Sequence, residues 1–154
     1  MQIRPALPED YAAAAALEQS VYALHQANRP DFFPRRDTAM SEARYRAMLE
    51  NGTIFLLAED EGRVIGQATA IRRSYKDHPV FLDIEWLEID DISVDPAFQG
   101  RGAGKALFEA MIARARALGL HRVELTVWSF NQKARSFYEK MGMRSRIDRL
   151  ELEV

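Results

Sequence analysis

The heptapeptide Gln99-Gly100-Arg101-Gly102-Ala103-Gly104-Lys105 stands between a β-branched, acid-rich segment and a segment patterned as an amphipathic helix. Glycines at alternate positions admit positive φ and close backbone approach, so the chain can turn out of a strand and into a helix within a few residues. Successive N–H groups in such a turn point toward one place, and the helix N-terminus adds partial positive charge there. The natural ligand is a phosphate or pyrophosphate, although the heptapeptide by itself reads equally well as an empty connector. Nucleotide loops do not fit. No glycine stands five residues before Gly104, and Ala106 occupies the hydroxyl position of a Walker loop. A G-x-G-x-x-G match begun at Gly100 or Gly102 meets Lys105 or Leu107 where its last glycine belongs.

The flanking pattern sets this turn in a layered α/β chain. Gln2 to Arg4 reads as a short strand, and Pro8, Glu9 and Asp10 open a helix with Tyr11, Ala14, Leu17, Val21 and Leu24 at helical spacing. The Ala12 to Ala16 run is plain helix former. Pro30, Pro34 and the Phe32-Phe33 pair make 28–37 an irregular loop, a candidate pocket rim, before a second helix from Ser41 to Glu50. Asn51-Gly52 and Glu61-Gly62 punctuate the apolar runs Thr53 to Ala58 and Arg63 to Arg72, a hairpin, and a long strand follows over about Phe81 to Val94. Beyond the glycine turn, Leu107, Phe108, Met111, Ile112, Ala115 and Leu118 form one helix face, stopped by Gly119. Arg122 to Trp128 alternates as a strand. Asn131 can N-cap a helix carrying Ala134, Phe137, Tyr138 and Met141, ended by Gly142, and a last strand is expected over about Arg146 to Val154. The expected fold is α/β: a mixed, mostly antiparallel sheet flanked by helices on both faces, in one domain over residues 1–154.

Composition removes whole classes of function. With 154 residues, a formal net charge of -2 and 21 basic against 23 acidic side chains, nothing drives the chain as a whole toward nucleic acid or an anionic membrane. The absence of cysteine excludes disulfides, thiolate metal sites and a thiol nucleophile. His78 and His121 have no ligand-like neighbours, so no metal site is expected. The opening MQIRPALPEDY lacks the apolar core of a signal peptide, and no apolar run is long enough for a membrane span, which makes the cytoplasm the expected location.

In two motifs the sequence resembles the GCN5-related N-acetyltransferase (GNAT) family. The family's Q/R-x-x-G-x-G/A loop is matched by Gln99, Gly102 and Gly104, and its Asn followed by A-x-x-F-Y-x-x-x-G by Asn131, Ala134, Phe137, Tyr138 and Gly142. The wording Ile89-Asp90-Asp91-Ile92-Ser93-Val94-Asp95-Pro96 is similar to the L-E-D-I-Y-V-x-P of the polyamine (spermidine/spermine) acetyltransferases. The resemblance implies acetyl-CoA as co-substrate. The backbone of Ile92, Ser93 and Val94 would pair with pantetheine as an added strand. The amides from Gln99 through Gly100, Arg101, Gly102, Ala103, Gly104 and Lys105 would take the pyrophosphate, with Arg101 and Lys105 adding charge. Asn131 would hydrogen-bond the pantetheine arm.

Acetyl transfer to an amine needs a neutral nucleophile, a polarised carbonyl and a protonated leaving thiolate. The resemblance makes Tyr138 the proton donor to sulfur and a backbone N–H near Ile92 the carbonyl's partner. For the base, Asp83, Glu85, Glu88, Asp90, Asp91 and Asp95 crowd thirteen residues that contain no basic side chain. Simple alternation puts Glu88, Asp90 and Ile92 on one face and Asp91 with Ser93 on the other, unless a bulge shifts the phase. Glu88 stands eleven positions before Gln99, and Asp90 occupies the polyamine-type glutamate position one methylene shorter. These two are expected jointly to attract the cation and act as base, directly or through water. The acceptor side is expected from Tyr22, His25, Asp31, Phe32 and Phe33. The expected activity is acetylation of a primary amine on a small cationic acceptor, polyamine-like or aminoglycoside-like. The alternatives are a protein or peptide N-acetyltransferase and a non-catalytic CoA-binding module. The oligomeric state is left open by the sequence, though an alternating last strand could join a partner's sheet edge in a homodimer.

Overall fold

The computed structural model describes residues 1–154, and its five strands form one sheet in the order β1-β2-β3-β4-β5. Strands β1 (Gln2–Pro5), β2 (Ile54–Asp60), β3 (Arg63–Tyr75) and β4 (Ile84–Val94) pair antiparallel, and β5 (Val123–Leu125) joins β4 in parallel. The helices are α1 (Tyr11–Asn28), α2 (Glu42–Glu50), α3 (Ala103–Ala117) and α4 (Gln132–Lys140). The period of two along β2 sends Leu56 and Ala58 to a core with Leu107, Phe108 and Met111 of α3. It sends Phe55 and Leu57 to a second core with Ala14 of α1 and Tyr45 of α2. The sheet is thus mixed, mostly antiparallel and covered on both faces, as expected. Asp10 fixes the entry to α1. Its carboxylate takes both Arg4 guanidinium nitrogens at 2.7 and 2.8 Å and the Leu7 N–H at 2.8 Å, which ties β1 to the helix start.

The decisive irregularity lies in β4. Ala70 of β3 pairs with Ile89 and Thr69 with Asp91, so Asp90 is an extra residue, a β-bulge. The bulge restores phase for the core: Leu87, Ile89, Ile92 and Val94 all pack on the α3 side. It also corrects the simple alternation, because Ile92 leaves the face of Glu88 and Asp91 joins it. Pairing with β5 covers only Leu87 to Ile89, so from the bulge onward the β5-facing edge of β4 has no strand beside it. One wedge-shaped gap results, beginning where the acidic residues stand.

Three expected boundaries move. Strand β4 begins at Ile84, because His78 Nδ1 accepts the N–H groups of Val80 and Phe81 and holds that stretch in a loop. Strand β5 ends at Leu125, and Trp128 and Phe130 leave the sheet for an aromatic cluster. Residues 146–154 are not a strand. Their alternation supplies an apolar stripe, but β5 offers only three residues to pair with. The segment touches β5 through side chains, Arg146 to Glu124 at 2.7 Å, and leaves Leu150 91% exposed.

Candidate active site

The glycine turn is built as its residue types require. Gly100 (φ +79°) and Gly102 (φ +89°) are left-handed, Gly102 is the N-cap of α3, and a side chain added at either would meet open space. The N–H groups of residues 100–105 find no acceptor within the protein, so six consecutive amides are left for a ligand at a helix N-terminus. Gln99 braces the turn: its Nε2 donates to the Val94 carbonyl at 3.1 Å, and its Oε1 accepts from Lys133 at 2.5 Å. Arg101 lies over the Phe98 ring at 5.1 Å, and Lys105 is 3.8 Å from Glu109. Ala103 is buried at the first turn, and the Phe137 ring of α4 lies in ordinary contact distance, 3.6 Å, from where a Cβ at Gly104 would stand. Sequence reasoning missed Lys133; its only signal was a position two residues after Asn131.

The acidic strand divides into three environments. Glu88 accepts from Trp86 Nε1 at 3.1 Å and lies 3.9 Å from Arg73. Asp90, the bulge residue, is exposed, and partial desolvation and then the charge of Glu88 raise its carboxyl above the ordinary range. Asp91 turns inward. Desolvation first, and the nearby Glu18 of α1 second, push its carboxyl up to about 6. Gln67 of β3 works the other way through a hydrogen bond. Ser93, close by but outside hydrogen-bonding geometry, does the same. Gln67 Nε2 donates to Glu18 at 3.3 Å and to Asp91 at 3.4 Å. Neither Glu18 nor Gln67 was singled out from sequence, since nothing local ties 18 and 67 to 91.

Tyr138 packs on the opposite side of the sheet, its ring 6.1 Å from Phe108 and 5.1 Å from Phe137. Burial, and secondarily the charge of Asp91, push its phenol well above the usual tyrosine value, so it holds its proton at neutral pH. The gap between β4 and β5 therefore has a carboxyl on one side and a neutral phenol on the other. Asn131 Oδ1 caps α4 through the Ala134 N–H at 3.1 Å, and its amide nitrogen is left for a ligand.

The expected acceptor residues also come together. Glu18, Tyr22 and His25 recur at i, i+4 and i+7 on one face of α1. His25 lies 5.1 Å from Phe33 and 5.6 Å from Phe130, Tyr22 lies 5.8 Å from Phe33, and Phe32 and Phe33 meet Trp128 at 5.4 and 5.5 Å. Arg29, paired with Asp31 and Glu151 at 2.7 Å each, covers Phe32 and Trp128. Two open concavities of about 550 and 580 Å³ lie elsewhere, one beside His121 and Lys76 and one beside Leu49 and Leu118, away from these groups. No group of three or more carboxylates and imidazoles has metal-site geometry, and no helix is long and apolar enough to cross a membrane.

A two-faced α/β domain whose sheet parts beside an anion nest, with an acid–phenol pair across the gap, is the class that fold and site define. The profile of the acetyltransferase (GNAT) family matches residues 21–143, and the chain belongs to that family. An uncharacterised N-acetyltransferase of Mycobacterium tuberculosis is 32% identical over 109 residues, covering 70% of this chain and 64% of its own length. The chain thus spans less than two thirds of that relative. An L-ornithine N5-acetyltransferase of Arabidopsis thaliana is 37% identical over 68 residues, 44% of this chain and 30% of that protein. The crystal structure of a tetramutant of the BH1408 protein from Bacillus halodurans superposes over 100% of both chains, with a TM-score of 0.95 and 28% identity.

Proposed function

We propose that the protein, over one domain of residues 1–154, transfers an acetyl group from acetyl-CoA to a primary amine of a small cationic acceptor by direct attack in a ternary complex. The observation that carries this reading is the coincidence of three features at one gap: the free edge of β4, six unpaired amides beyond it and the carboxyls flanking it. The N–H groups of 100–105, with Arg101, Lys105 and Lys133 near them, suit a pyrophosphate. The free edge at Ile92 to Val94 and the spare amide of Asn131 suit a pantetheine arm, except that the Val94 carbonyl is already taken by Gln99. Acetyl-CoA supplies the activated thioester.

The chain's own residues then move two protons. Asp91 takes one from the acceptor's ammonium, its raised carboxyl being a better base than an ordinary aspartate. Glu88 and Asp90 contribute the field that draws the cation in; Asp91 is added to them because Glu88 is held by Trp86 and Asp90 is exposed on the bulge. Tyr138 donates the second proton to the leaving sulfur, and a backbone N–H at the bulge near Ile92 polarises the carbonyl. The aromatic wall of His25, Phe33, Trp128 and Phe130 beneath Arg29 fits a small acceptor better than an extended peptide. The L-ornithine acetyltransferase among the relatives acts on such a cationic amine. The reading includes cytoplasmic location and a homodimer. A panel of primary amines, read by release of free thiol from acetyl-CoA, tests it: turnover of at least one small cationic amine is expected. Cofactor binding with no turnover across the panel would leave a CoA-binding module instead.

A further inference from the structure

We propose that Glu18 of α1 and Asp91 of β4, joined by the side chain of Gln67, form one ammonium-binding pair, and that Glu18 selects protonated primary amines as acceptors. This rests on Asp91 as the base. Gln67 is fully buried, and its Nε2 donates to both carboxylates, so α1 and β4 are linked through a residue of β3. Its Oε1 is buried with no partner. A buried acceptor without a donor is costly, so the position calls for an N–H or O–H from a ligand or water. Neither Glu18 nor Asp91 has a lysine, arginine or histidine within 4.0 Å, and nor does Asp90, whereas the neighbouring strand carboxylates Glu85, Glu88 and Glu124 each have at least one.

An ammonium group supplies the donors this arrangement lacks. It brings three donors, and Glu18, Asp91 and the Gln67 carbonyl oxygen supply three acceptors. A neutral or quaternary amine lacks either the charge or the donors. Glu18 is also the inner end of the α1 stripe that runs through Tyr22 to His25 and the aromatic cluster. An acceptor's cationic end thus reaches the carboxyls while its body lies along the wall. The groups facing Asp91 are Glu18 from α1, neutral Gln67 from β3, Asp90 from β4 and the Tyr138 phenol from α4. Arg73 and Arg44 act on Asp90.

The test needs no known acceptor. In the full chain labelled with ¹³C at carboxyl carbons, the Asp91 titration is followed in n-propylammonium chloride and in sodium chloride at equal ionic strength. In the native protein the ammonium should lower the Asp91 midpoint well beyond the sodium control. Glu18→Gln should lower the midpoint without amine and remove most of the amine-induced shift, and Glu18→Asp should restore both. A Glu18→Gln protein with the native midpoint and native shift overturns the pair. A propylammonium shift equal to that of sodium also overturns it and leaves a water on Gln67. With any amine the panel identifies, Glu18→Gln should raise KM more than it lowers kcat, by about tenfold in KM. Retained kcat in Asp91→Asn would defeat the base assignment alone, because the titration of the native protein still decides the pair.

Discussion

Asp91 shows what a single residue can do against its own fold. An ordinary aspartate titrates at 3.8 and this one at about 6, so folding favours its protonated form. The ionised side chain therefore costs stability above about pH 6, and the cost disappears as pH falls toward the ordinary value. Asp91→Asn keeps the shape and removes the charge. We expect it to unfold at higher temperature than the native protein at mildly alkaline pH, by a margin equivalent to about 3 kcal/mol, with the margin vanishing near the ordinary aspartate range. The same substitution should lower kcat by about 10² or more, since it deletes the proposed base. Thermal melts against pH, set beside initial rates, check both. A melt difference independent of pH would mean that packing, not ionisation, explains the stability change. Tyr138 offers the converse case, a group kept neutral by burial. Tyr138→Phe removes only a hydroxyl from a ring packed on Phe108 and Phe137, so acetyl-CoA affinity should persist while kcat falls about 10². Unchanged kcat would reduce Tyr138 to a packing residue.

At the scale of elements, the bulge in β4 and the glycine turn after it divide the labour of building the site. The turn was readable in advance because what it needs is local: Gly100 and Gly102 are left-handed, and both lie within the seven-residue stretch. The helix begun by Asn131 and carrying Phe137 and Tyr138 was readable for the same reason. The bulge was not, because an extra residue at Asp90 exists only relative to Thr69 and Ala70 on the neighbouring strand. That one uncertainty hid the face of Asp91, and with it Glu18 and Gln67. The expected strand at 146–154 failed differently: alternation reports which side chains share a face, and a strand also needs a backbone to pair with. The turn gives the sharpest prediction at this scale. Gly102→Asp meets no atom within 4 Å but strains the backbone at φ +89°, a cost that aspartate bears better than most residues, so the protein should fold with some loss of stability. The added carboxylate puts negative charge within the run of free amides and should abolish acetyl-CoA binding by calorimetry. Native affinity in the folded variant would remove the anion-nest assignment.

At the scale of the whole molecule, the C-terminal segment leaves apolar side chains in solvent. Ile147, Leu150 and Leu152 are 70%, 91% and 86% exposed, and a second exposed run, Val80 to Leu82, lies in the loop before β4. Beside the C-terminal segment, β5 presents the outer edge of the sheet, where three residues of backbone lack a strand neighbour. In the proposed homodimer a two-fold axis would set these C-terminal apolar side chains against the partner's copy and take them out of water. The arrangement reaches the site, because Glu151 holds Arg29, and Arg29 lies over the Phe32 and Trp128 rings of the acceptor wall. Sedimentation of the native protein should therefore give a dimer at micromolar concentration, and Leu150→Lys with Leu152→Lys should give a monomer. The monomer should bind acetyl-CoA as before, since the glycine turn lies far along the chain from the altered segment, and should show a several-fold higher KM for the acceptor amine. A native protein that sediments as a monomer at every concentration would end the homodimer reading. A monomeric variant with native KM would separate assembly from acceptor binding.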